Sequence, residues 1–160
     1  MNGLLIDALL LGVGATAFMD IVALLQKRLL GIPSLNYAMV GRWLGHLPSG
    51  RFIHRPIGNS AQIQAEAPLG WFAHYLIGIA FAMTFLVLVG PGWLARPTLM
   101  PALGFGVMTV LAPFLVLQPC LGAGITARKT PQPNVARLRS LLAHSSFGFG
   151  LWIAGLGWLL

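Results

Sequence analysis

The sequence predicts an all-α, polytopic membrane protein with four transmembrane helices and a short amphipathic interfacial helix in its first cytoplasmic loop. Three observations carry that prediction. Of the 160 residues, 57% are hydrophobic and 8% charged, with mean hydropathy +0.81, whereas soluble domains carry about 25% charged residues. The stretch from Pro68 to Gly90, PLGWFAHYLIGIAFAMTFLVLVG, has no Lys, Arg, Asp or Glu, and is long enough for a helix to cross roughly 30 Å of hydrocarbon. Four such apolar runs are separated by short polar ones, leaving no room for a second, soluble domain. Residues 1–160 therefore read as one membrane domain, with helices at about 4–29, 69–90, 98–118 and 135–159.

The first run lacks a basic leader, is too long for a signal core and is interrupted by Asp7 and Asp20, so it reads as a retained spanning helix. Gly12, Thr16 and Asp20 recur every four residues and share a face that should look into the bundle. Lys27, Arg28, Arg42, Arg51 and Arg55 follow it, and Arg128, Lys129, Arg137 and Arg139 lie between the third and fourth runs. Only Arg96 lies between the second and third. Basic residues mark cytoplasmic loops, so 31–67 and 119–134 are predicted inside and both termini outside. This placement assigns the net charge of +7 to anionic phospholipid rather than nucleic acid.

In the first loop, Ser34 can cap a helix LNYAMVGRWLGHL that Pro48 ends. Leu35, Met39, Trp43 and Leu47 fall along one side and Arg42 and His46 on another, a pattern suited to lying flat on headgroups. Helix two carries a stripe of His74, Gly78 and Ala82. In helix three, Pro113 removes a backbone donor and is a candidate hinge. Asn134 can cap helix four, where His144, Gly148 and Gly155 share a face.

Asp20, His74 and His144 each lie about 8–10 Å inside the cytoplasmic end of their helix at the α-helical rise, with Gln118 just above that layer. A carboxylate at membrane depth costs on the order of 3 kcal/mol on insertion scales and needs a partner or water. Asp and His together can bind or relay a proton, bind a small solute, or act as interhelical glue. A metal on Asp20, His74 and His144 is a weaker option, since no HxxxH or CxxC spacing supports it. Arg42, His46, Arg51, His54, Arg137 and Arg139 could form a basic mouth for an anionic headgroup or substrate.

The only acids are Asp7, Asp20 and Glu66. No nucleophile triad, P-loop or paired catalytic carboxylate is present, and no cofactor motif, so an enzyme is disfavoured. Cys120, the only cysteine, excludes an intrachain disulfide. The leading expectation is a small transporter or transport accessory handling protons or a small solute. The alternatives are a module binding anionic lipid or a partner protein, and a metal-dependent or lipid-active enzyme. Few helices are available to enclose a pathway, so a homodimer is expected, with the glycine face of helix four as a candidate contact.

The segments FMDIVALLQKRLLGIPSLNYAMVGRWLGHLPSGRFIHRPI, GWFAHYLIGIAFA, RPTLMPALGFG and APFLVLQPCLGAGITARKTPQPNVARLRSLLAHSSFG resemble an uncharacterised bacterial family of small four-helix inner-membrane proteins, a domain of unknown function. The resemblance covers nearly the whole chain. It implies a prokaryotic plasma membrane and carries no assigned activity or catalytic residues.

Overall fold

The computed structural model describes residues 2–159, and all regular structure among the described residues is helical. Helix α1 spans Asn2–Leu30, α2 Tyr37–His46 and α3 Glu66–Val89. Helix α4 covers Leu99–Cys120, and α5 Pro133–Leu156. Gly3–Leu30, Glu66–Val89 and Leu99–Cys120, of 28, 24 and 22 residues, are long and apolar enough to cross a membrane. Only 28% of the most apolar window of each is buried. Leu24, Leu76, Val87 and Leu115 instead face outward, as side chains solvated by lipid do. Helix α5 is also 24 residues long, but Arg137, Arg139, His144, Ser145 and Ser146 leave it less apolar, and it falls outside the group of three.

The chain forms two compact units. The first comprises the residues up to Ser34, Tyr75–Thr109 and those from Leu141 on. Its core is Ala8, Leu11, Ala15, Ala82, Phe85, Leu86, Trp93, Leu94, Ala102, Phe105, Phe147 and Leu151. Phe85 meets Trp93 edge-on at 4.8 Å and Phe105 at 5.4 Å between ring centroids, geometries that aromatic quadrupoles favour. The helices approach at glycine. A Cβ on Gly12 of α1 would lie 2.5 Å from Ile79 Cα of α3, and one on Gly106 of α4 would lie 2.5 Å from Gly148 Cα of α5. Small residues permit such backbone approach without lipid between the helices. Gly148, Gly150 and Gly155 meet Leu103, Ala15 and Trp93 of the same chain, so the glycine face of α5 packs within the chain.

The second unit comprises Leu35–His74 and Val110–Ser140. Helix α2 starts later than Ser34 would set it. The Asn36 side chain accepts a hydrogen bond from Ala38 N at 3.1 Å, since two polar residues there are able to cap and Asn36 sits in the geometry that reaches the second N–H. Asn36→Ala is expected to lower stability by about 1 kcal/mol, read as a small fall in the thermal midpoint of the detergent-solubilised protein. The buried residues of α2 are Val40, Gly41, Arg42 and His46, while neighbouring Leu35 is 53% exposed. The face carrying the cation and the imidazole is the one turned inward.

In α4, the first α-helical stretch is Leu99–Thr109, and a π-turn runs over Pro113–Leu117 before Gln118–Cys120 closes the helix. Proline lacks the N–H that a regular turn would use at that point, and a wider turn absorbs the defect.

Candidate functional site

Arg42 organises the second unit. It is 3% exposed. Its Nε and Nη2 donate to Oε2 and Oε1 of Glu66, each at 2.8 Å. Its Nη1 lies within reach of the carbonyls of Ile57, Gly58 and Ser60 at 3.4, 3.3 and 3.2 Å. A planar, five-donor guanidinium suits this two-sided demand. The hydrogen-bonded Glu66 carboxylate holds the Arg42 pKa above the ordinary guanidinium value, against the opposing effect of burial. The arrangement needs α2 and α3 in near-backbone contact, and Gly41 and Gly70 provide it, because a Cβ on either would overlap the backbone of the other helix. Arg42 is therefore buried within its unit, its guanidinium occupied by Glu66 and the carbonyls of Ile57, Gly58 and Ser60.

His46 and His54 are 7% and 6% exposed. His46 Nδ1 and His54 Nε2 are hydrogen-bonded at 2.9 Å, with the rings stacked at 5.1 Å between centroids. His54 Nδ1 is buried with no partner. Beside this pair, an open cleft of about 600 Å³ is lined by Gly50, Arg51, Phe52, Ile53, His54, Arg55 and Ser60. Arg51 and Arg55 are exposed. Arg137 is half-buried, its Nε donating to Thr126 O at 2.8 Å and its Nη1 to Asn134 Oδ1 at 3.0 Å. Arg139 is exposed and lines a separate cleft of about 260 Å³ with Thr130, Pro131, Gln132, Val135 and Ala136. Gln118 Nε2 donates to Ser140 Oγ at 3.1 Å.

Asp20, His74 and His144 have hydroxyl partners. In the first unit, Tyr75 O–H donates to Asp20 Oδ2 at 3.0 Å, joining α3 to α1. In the same unit, Thr109 Oγ1 lies 2.7 Å from His144 Nδ1 and also donates to Gly106 O at 2.6 Å. In the second unit, Tyr37 Oη lies 3.0 Å from His74 Nε2, and the two rings stack at 4.2 Å. Trp71 meets His74 edge-on at 5.8 Å. Among the described residues, no three His, Cys, Asp or Glu side chains come together as a metal-binding group.

Sequence reasoning singled out Asp20, His74, His144 and Gln118 as groups needing partners. It did not name Tyr75, Tyr37, Thr109 or Ser140 as those partners, nor Glu66 as the mate of Arg42. A usable signal existed for Glu66 alone. With three acids in the chain, and two of them in α1, Glu66 was the acid left for an arginine of the first loop.

No curated protein and no solved structure matches the chain. A family model described as a protein of unknown function, DUF2938, matches residues 9–157. That match spans nearly the full length and agrees with the resemblance carried by the sequence segments, so the chain belongs to the DUF2938 family.

Proposed function

We propose that this chain is a multi-pass protein of the bacterial inner membrane that handles protons or a small solute at Asp20. In this reading it has four spanning helices and both termini outside. Helix α5 is the fourth span: 24 residues reach about 36 Å at 1.5 Å per residue. It contacts α1 and α4 through Gly150 and Gly148, and a helix enclosed by others need not be apolar all round. The basic residues of 31–67 and 119–134 favour an inner-leaflet location for those segments, with α2 at the interface and the π-turn from Pro113 as the hinge of α4.

The observation that carries the reading is the Tyr75–Asp20 hydrogen bond. A carboxylate in an apolar helix is expensive, and such groups line substrate or proton paths more often than they face lipid. The carboxylate can accept a proton and return it, and the phenol orients it by donating to one oxygen. In vesicles reconstituted with the full chain and loaded with a pH-sensitive dye, Asp20→Asn is expected to cut proton flux about 100-fold, the range of a lost acid–base group. Tyr75→Phe should give a smaller loss, with the carboxylate still present. Unchanged flux in Asp20→Asn would leave the Tyr75 bond as interhelical glue and end this reading.

A further inference from the structure

We propose that the loop of Gly50–Arg55 binds a phosphate group of an anionic ligand, gripped by the Arg51 and Arg55 guanidiniums with His54 in the wall. This site lies outside the Asp20 reading and does not depend on it. The cleft of about 600 Å³ has ample room for a phosphate, and no carboxylate lines it. Glu66, the acid of this region, is occupied by Arg42. Among the described residues, no protein group pairs with the Arg51 or Arg55 side chain. Two unpaired guanidiniums flanking a cleft match the planar, two-pronged way in which arginine holds phosphate oxygens.

The loop that carries them is already ordered. Arg51 N–H donates to His46 O at 3.3 Å, and the Trp43 indole N–H donates to Phe52 O at 3.0 Å. His54 N–H donates to Cys120 O at 2.9 Å, and Ile57 N–H to Leu121 O at 3.0 Å. A backbone fixed before binding loses little further freedom when a ligand arrives.

His54 supplies the second, independent observation. When His46 Nδ1 donates to His54 Nε2, a neutral His54 ring carries its proton on Nδ1. That Nδ1 is buried and lacks an acceptor, and an unsatisfied donor is an unusual thing for a folded protein to keep. His54 is one of the residues lining the cleft, and in this tautomer a phosphate oxygen there is the acceptor we assign to it.

Between the two arginines, Phe52 and Ile53 are 60% and 68% exposed. These side chains would meet the acyl region if the phosphate belongs to a phospholipid headgroup, and have no role if it belongs to a soluble phosphomonoester. The full-length protein in phosphatidylcholine nanodiscs doped with phosphatidylglycerol separates these sources. Native mass spectrometry should show retained phosphatidylglycerol falling about 30-fold in an R51Q/R55Q variant, equivalent to about 2 kcal/mol for two surface cations. K27Q/R28Q, which removes the same charge elsewhere, should leave retention unchanged. A soluble source would appear as calorimetric binding of glycerol 3-phosphate to the protein in pure phosphatidylcholine nanodiscs, again lost in R51Q/R55Q. Either result supports the site and names its ligand. Equal lipid retention by wild type and R51Q/R55Q without glycerol 3-phosphate binding overturns it. So does an equal fall in K27Q/R28Q, which would reduce the effect to general surface charge. The substituted arginines are exposed and unpaired, so an unchanged thermal midpoint should accompany the loss.

Discussion

Arg42→Met is expected to lower the thermal midpoint of the detergent-solubilised protein by about 10 °C. The methionine fills much of the same space but leaves Glu66 without its two-pronged partner and removes the donor facing Ile57, Gly58 and Ser60. Breaking one side of a buried pair is far worse than never having had it, because the remaining charge stays desolvated. Two companion variants test that origin. Arg42→Lys keeps the charge but cannot address a carboxylate and three carbonyls with one fixed fork, so it should recover only part of the loss. Combining Arg42→Met with Glu66→Leu should recover more than either single change predicts, since it removes the orphaned carboxylate. A double variant no better than Arg42→Met would show that the carbonyl contacts, and not the ion pair, hold the loop.

Gly12→Leu is expected to destabilise the first unit by about 3 kcal/mol, read as a lower unfolding midpoint and as protease sensitivity in α1. The new Cβ would lie 2.5 Å from Ile79 Cα and 2.9 Å from Ile79 N, and backbone atoms cannot move aside as a side-chain tip can. The two helices would have to separate, and Thr16, 1% exposed and facing Gly78 across the same contact, would separate with them. Gly104→Leu is the control: its Cβ meets nothing within 4 Å, and leucine favours helix by about 0.8 kcal/mol over glycine. It should be neutral or mildly stabilising. Equal losses at both positions would point to a general intolerance of leucine in place of glycine, not to the α1–α3 contact.

The apolar helices were readable in the sequence because lipid imposes composition directly. A chain such as α3 is written in residues that lipid tolerates, whatever its neighbours are. Three helices, α1, α3 and α4, meet that standard in the structure. The interior of the loops was less legible. An arginine beside a membrane segment usually points at headgroups, and only its pairing with an acid 24 residues away in sequence turns Arg42 inward. Likewise Asp20 and His144 declared a need for partners, but the partners, Tyr75 and Thr109, depend on helix register that no periodicity within one helix reveals. The glycines of α5 signalled close contact correctly in kind. Whether that contact lay inside the chain or with a second copy is a question of spatial arrangement, and the spacing is the same for both.

The anchoring of the first loop has a bearing on the order in which the protein can be made. His54 and Ile57 donate their backbone N–H groups to Cys120 and Leu121, which leave the ribosome several dozen residues later. Until those residues are made, the two N–H groups lack the partners that they have in the folded chain. The bond between Arg42 and Glu66 can form much sooner, as soon as α3 begins. The partners of the loop on α3 are thus made well before those at the end of α4, and the backbone bonds that border the cleft between Arg51 and Arg55 need the third apolar helix to be complete.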